Sequence, residues 1–189
     1  MNFYTLGLPR SRSRWLSVLL SDDHAHCVHE GLSLYGIDTI KPSGKRFTGS
    51  ADTNPMNPVR RSGRLLIVER NADECVESFL KAFDNPFEDD FRPFVESMCA
   101  SYKNRLDQFY GDQVKRVSFE SLDDYKTVMA VADFLRPGTS MTVSRARAFC
   151  DTRISTKNRD LTYSIAVTAK FHKMTKKQFY DAVICGRIS

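Results

Sequence analysis

Several signatures that commonly reveal a function are missing from this chain of 189 residues. No apolar run reaches membrane-spanning length. The one that starts at Trp15 is cut off by Asp22, Asp23 and the histidines that follow, so no membrane partner is expected. Cysteine is sparse and unpaired in pattern: Cys27, Cys75, Cys99, Cys150 and Cys185 form no C-x-x-C pair. An odd, scattered set fits reduced thiols better than a disulfide frame or a zinc site. The opening residues, Met1-Asn2-Phe3-Tyr4, lack a basic stretch followed by a long apolar core, so the expected location is cytoplasmic. There is no H-E-x-x-H pair, no G-x-x-x-x-G-K-[ST] loop, no internal repeat and no low-complexity segment. Charge is balanced enough, 28 basic against 23 acidic residues, that the net +5 favours anionic ligands only in a general way. What remains is an ordinary composition, 41% hydrophobic, of a length that suits one domain over residues 1–189.

The feature that stands out is Gly7-Leu8-Pro9-Arg10-Ser11-Arg12-Ser13-Arg14-Trp15-Leu16. It follows the apolar run Phe3 to Leu8, which reads as a strand. It precedes Trp15-Leu16-Ser17-Val18-Leu19-Leu20, where apolar residues recur at helical spacing. A strand, a tight basic turn rich in hydroxyls and a helix together concentrate N–H donors, a positive dipole end and guanidinium groups at one point. Such a point suits an anion, a phosphate above all.

The same alternation continues along the chain. Arg64-Leu65-Leu66-Ile67-Val68-Glu69-Arg70 is the clearest strand, its apolar run fitting burial on both faces. Arg70-Asn71-Ala72-Asp73 then offers a turn and a cap for a helix with Val76, Phe79, Leu80 and Phe83 on one stripe. Phe91, Phe94, Val95, Met98, Tyr102, Leu106 and Phe109 predict a long helix over residues 88–110. Val114 to Phe119 predicts a strand, and Tyr125, Val128, Met129, Ala132 and Leu135 a further helix closed by Pro137-Gly138. The pattern predicts an α/β fold, three layers α/β/α around a mainly parallel sheet. Ligands of such sheets sit at the carboxyl ends of the strands, which gathers Arg10, Arg70 and Glu120 towards one edge.

Two segments are ambiguous. Residues 21–32 hold His24, His26 and His29 with Asp22, Asp23 and Glu30. They read as a polar loop, or as the source of a general base, His29 or Glu30, beside the anion site. Residues 33–58 are rich in Gly, Pro, Asn, Ser and Thr, and read as an irregular wall of the site or a plain connection. The tail, 137–189, is basic (Arg145, Arg147, Arg153, Lys157, Arg159, Lys170, Lys173, Lys176, Lys177), with Thr175 able to cap a last helix. It reads as a solvated face or as a flap over a phosphate-rich ligand.

Three of these pieces resemble one family, the sulfotransferases that use 3′-phosphoadenosine 5′-phosphosulfate, especially the small bacterial, viral and tyrosylprotein-type forms. Their first loop is roughly P-[RK]-S-G-T-T-x-L after a strand; here it is Pro9-Arg10-Ser11-Arg12-Ser13-Arg14-Trp15-Leu16. Their R-x(7)-S element is similar to Arg70 and Ser78, and their Y-E-D-L-type turn and F-L-G helix end to Phe119-Glu120-Ser121-Leu122 and Phe134-Leu135. The resemblance covers about residues 3–136. It implies a P-loop NTPase-like sulfotransferase fold. It also implies that Arg10 contacts the transferred sulfonate, that Ser11, Ser13 and the loop amides hold the 5′-phosphate, and that Arg70 and Ser78 bind the 3′-phosphate; Arg12 and Arg14, in the same loop, are further candidates for contact with the co-substrate. Glu30 or His29 would be the base, the co-substrate would be 3′-phosphoadenosine 5′-phosphosulfate, and no metal would be needed.

Two positions depart from that pattern. Arg12 stands where the family has its Gly, and Arg14 where it has its second Thr. A left-handed backbone at Arg12 would be strained, so an altered loop, or phosphate held by guanidinium, is expected. The arginines leave two other functions open: a non-catalytic anion- or nucleotide-binding module, and a nucleotide kinase-like P-loop protein. Nucleic acid is the less favoured partner, because the basic tail has little aromatic interleaving. The acceptor is not legible.

Overall fold

The computed structural model describes residues 1–29, 45–53, 55, 63–83 and 88–151. Five strands form one sheet: β1 (Asn2–Gly7), β2 (Ala25–His29), β3 (Phe47–Asp52), β4 (Arg64–Glu69) and β5 (Val114–Ser118). Their order is β2-β3-β1-β4-β5, and every pairing is parallel. Among the described residues five α-helices accompany them: α1 (Ser13–Leu19), α2 (Ala72–Phe83), α3 (Glu88–Leu106), α4 (Tyr125–Leu135) and α5 (Val143–Cys150).

The helices lie on both faces, because a strand buried on two sides needs two apolar layers. One core joins Phe3, Phe47, Leu66 and Val68 of the sheet to Trp15, Leu16 and Leu19 of α1, Val128, Val131 and Leu135 of α4, and Phe149 of α5. The other joins Tyr4, Leu6, Leu65 and Ile67 to Val76 and Leu80 of α2 and Val95, Cys99 and Leu106 of α3. The expected parallel α/β arrangement is therefore present. The chain leaves β1 towards β2 on one side and leaves β4 towards β5 on the other. Right-handed crossovers running in opposite directions must use opposite faces. The carboxyl ends of β1 and β4, which are neighbours, accordingly flank a crevice.

Some boundaries differ from those the sequence predicts. Residues 25–29 form a strand rather than a polar loop, and 47–52 form a buried strand inside a segment that reads as irregular. β3 evades a pattern reading because Gly49, Ser50 and Asp52 are poor strand formers. Its glycine has a packing reason: a Cβ there would stand 2.2 Å from Cε2 of Phe3. α3 stops at Leu106 rather than near 110, and Phe94, expected on its apolar stripe, is 60% exposed.

The described part of the tail is mixed: Arg147 is exposed, as a solvated face would be, whereas Arg145 is half-buried. Arg145 donates from Nη2 to the carbonyls of Leu19 (3.2 Å) and Ser21 (2.8 Å), and the Arg147 guanidinium lies 4.7 Å from the Tyr125 ring centre. α5 is thus part of the core layer, and Trp15 Nε1 donates to the Phe149 carbonyl at 3.0 Å. Glu30, most of the 33–58 wall, the helix capped by Thr175 and the basic residues beyond 151 lie outside the described residues.

Candidate anion site

Three short connections meet at the carboxyl edge of the sheet: residues 8–12 after β1, 70–71 after β4 and 119–123 after β5. Each is short for a local reason. Ser11 N–H returns to the Leu8 carbonyl at 3.1 Å, closing a turn directly after the strand. Asn71 Oδ1 accepts from the N–H groups of Asp73 (2.8 Å) and Glu74 (3.4 Å), so α2 starts two residues after β4. Phe119 N–H donates to the Glu69 carbonyl at 2.7 Å, which keeps the end of β5 tied to the end of β4.

The loop after β1 carries the only two non-glycine residues with positive φ among those described, Arg10 (69°) and Arg12 (65°). Arg12 lies in the left-handed region as the N-cap of α1, with no side-chain cap. The expected alteration of the backbone is therefore not found: Arg12 keeps a conformation natural to glycine. That conformation costs about 1–2 kcal/mol for a side-chain-bearing residue. Contacts of the side chain offset it. Arg12 Nη2 donates to Asp123 Oδ1 at 2.6 Å, and the guanidinium lies 4.5 Å from the Phe119 ring centre and 5.5 Å from that of Trp15. An exposed ion pair contributes at most about 1 kcal/mol and each ring contact about 0.5–1 kcal/mol, so strain and gain are of one size.

Arg70 links the loop after β1 to the connection after β4. Its Nη1 donates to the backbone carbonyl of Arg10 at 2.7 Å, and its guanidinium lies 4.1 Å from the Phe119 ring centre. Its Nε is buried and has no hydrogen-bond acceptor, with Glu74 standing 3.6 Å away. Glu74 is thus its anionic neighbour, just beyond hydrogen-bond distance, and the Nε of Arg136 is buried without an acceptor in the same way. Arg10, exposed, donates from Nε towards Ser78 Oγ at 3.5 Å, the outer limit of a hydrogen bond. Arg10, Arg70 and Ser78, far apart in sequence, thus stand together.

Ser11 and Ser13 face different partners. Ser11 is buried, its Oγ 3.9 Å from the Cys75 sulfur, and burial raises the Cys75 thiol pKa to about 11. Ser13 Oγ lies 3.0 Å from His29 Nε2. That separation suits a nucleophile and its base, but the chemistry does not. Burial, with the Arg14 charge nearby, lowers the His29 pKa to about 3. An imidazole of so little proton affinity is a poor general base. At neutral pH it is an uncharged partner for the Ser13 hydroxyl. His26 lies on the opposite face of β2 from His29, as alternation demands. Among the described residues no three His, Cys, Asp or Glu side chains gather as a metal site.

Sequence reasoning singled out Arg10, Arg70 and Ser78 but not the ring and carboxylate that hold two of the arginines, Phe119 and Asp123. The signal was present in Phe119-Glu120-Ser121-Leu122, since a turn directly after a parallel strand lands at the site edge.

The fold and the site together define an α/β protein with arginines gathered at the carboxyl ends of parallel strands. No protein-family model matches the chain, and no curated protein matches it. Among the described residues no helix is long and apolar enough to cross a membrane.

Proposed function

We propose that the chain is a sulfotransferase-like protein of P-loop type that binds 3′-phosphoadenosine 5′-phosphosulfate at this crevice. It would transfer the sulfonate to a hydroxyl or amine acceptor. The observation that carries the reading is the placement of Arg70: tied through Nη1 to the carbonyl of Arg10, whose own Nε reaches towards Ser78. Electrostatics adds to it. Arg10, Arg12 and Arg14 crowd the positive end of α1, whose first turn has no acidic residue. Charges of that sign near a helix N-terminus each cost about 0.3–1 kcal/mol, and a bound anion reverses the cost. In this reading Arg10 steadies the bridging oxygen as the sulfur–oxygen bond breaks, Ser11 and Ser13 with the loop amides hold the 5′-phosphate, and Arg70 with Ser78 holds the 3′-phosphate. The acceptor's proton goes to Glu30 rather than to His29, whose pKa of about 3 leaves it too weak a base.

The experiment is calorimetry with adenosine 3′,5′-bisphosphate and AMP. The bisphosphate is expected to bind more tightly, and Arg70→Ala to weaken it about 10–100-fold, the scale of a lost hydrogen bond between charged groups. Equal affinities of the intact protein for the two nucleotides would sink the reading.

One observation favours a kinase-like alternative. Asp52, 1% exposed, ends β3 beside β1, where phosphate-loop kinases keep a magnesium-binding carboxylate. It already accepts from Ser50 Oγ, and Arg14 occupies the loop position of the magnesium-binding hydroxyl. Magnesium-dependent ATP binding would select this alternative.

A further inference from the structure

We infer that Phe119 is a positioning residue for the anion site, its ring holding the guanidiniums of Arg12 and Arg70 together. The inference rests on the proposed function and extends the site to a third connection. Both guanidinium carbons lie within 4.5 Å of this one ring centre, Arg70 at 4.1 Å and Arg12 at 4.5 Å. Two like charges so gathered repel, and only a few features offset that. The negative π face attracts both cations. Asp123, four residues on, neutralises Arg12 at 2.6 Å. The Arg10 carbonyl fixes Arg70 at 2.7 Å. The ring cannot drift, because the Phe119 N–H is bonded to the Glu69 carbonyl at 2.7 Å and the side chain packs against the core of α1, α4 and α5. Arg70 is the last residue before the α2 cap and Arg12 the cap of α1, so one ring couples the starts of two helices on opposite faces of the sheet. A phosphate held by Arg70 would meet a guanidinium already fixed in place, without ordering that long side chain on binding.

The test compares Phe119→Leu, Phe119→Met and Phe119→Tyr with the unaltered protein. Leu and Met keep apolar bulk and remove the π face, whereas Tyr keeps it. Calorimetry with adenosine 3′,5′-bisphosphate should show a loss of about tenfold in affinity for the ring-free variants, the scale of one cation–π contact. Phe119→Tyr should stay within about twofold of the parent, since its ring offers the same face. The ratio of bisphosphate to AMP affinity should fall with the ring-free variants, which a general loss of folding would not produce. In NMR spectra the Arg70 Nε–Hε signal, shielded by the ring, should move downfield when the ring is removed. Two ring-free variants are used so that one poor folder leaves the other to decide. Unchanged affinity in the ring-free variants, an unmoved Arg70 signal, or a Tyr variant as weak as Leu overturns the inference and leaves the proposed function standing. A parent protein that does not distinguish the bisphosphate from AMP removes both.

Discussion

The two ends of α1 both use arginine, and for opposite purposes. At the carboxyl end Arg136 and Arg145 face the helix's last carbonyls. Arg136 donates from Nη1 to the Leu20 carbonyl at 3.2 Å and pairs with Asp22, and Arg145 reaches Leu19 and Ser21. Cations there agree with the helix dipole and satisfy groups that the helix itself cannot. At the amino end Arg10, Arg12 and Arg14 oppose the dipole, and two of them adopt left-handed backbone. The dipole and the backbone preferences are respected at one end and opposed at the other. Violations concentrated at a strand edge mark a site, because fold stability gains nothing from them. An arginine count says little until the acceptors around each guanidinium are known.

That contrast can be broken by substitution. The largest effect is expected at the carboxyl end. Arg136 is 1% exposed, so Arg136→Met should strand the Asp22 carboxylate and the Leu20 carbonyl. Removing one partner of a buried pair costs about 3–5 kcal/mol. Urea unfolding should show that loss, with anion affinity unchanged in the fraction that folds. A loss as small as that of a surface substitution would mean that the two ends are not energetically distinct.

Acid should affect the amino end next. The folded His29 is held near pKa 3 against an ordinary value of 6.5. Between those values the unfolded chain binds the extra proton, so stability rises with pH. It is complete above 6.5 and is lost progressively towards 3. Asp22 adds a separate, more acidic step. Burial alone would raise its pKa, but Arg136, the His24 N–H and Arg145 bring it below 3.8. Its contribution is present above 3.8 and fades below it. Unfolding measured from pH 3 to 7 should therefore show a slope between 3.8 and 6.5 that His29→Gln flattens. A slope unaltered by that substitution would assign it elsewhere.

The smallest effect is expected at Arg12. Arg12→Gly relieves about 1–2 kcal/mol of left-handed strain while removing the Asp123 pair and the ring contacts. Stability should change by no more than about 1 kcal/mol, since the lost contacts are of similar size. A loss of several kcal/mol in thermal or urea unfolding would show that the clamp between the loop and the 119–123 turn dominates the strain.

Much of the architecture was legible because it rests on local patterns. The apolar run Leu65 to Val68 announces a strand buried on both faces, and the stripe of α2 and the turn after β1 follow from periodicity and composition. β2 and β3 were not legible. His26 and His29 look like loop residues until parallel pairing with β3 places them on opposite faces of β2, and Gly49 is explained only by the Phe3 ring that covers it. The candidate site divides in the same way. Arg10, Arg70 and Ser78 are visible as residue types at a spacing, whereas the roles of Phe119 and Asp123 depend on neighbours remote in the chain.

The sequence by itself determined the alternation of strands and helices, the basic turn after the first strand, and the arginine after the clearest one. These depend on side chains within a few residues of each other. The tertiary structure alone decided which arginines serve the fold and which stand at the crevice. A guanidinium's role depends on the acceptors and rings around it, and parallel pairing brings those from β1, β4 and β5 to one edge. It also decided that Arg12 keeps a glycine-like backbone: the contacts that offset the strain, with Asp123 and Phe119, exist only once β5 lies beside β4.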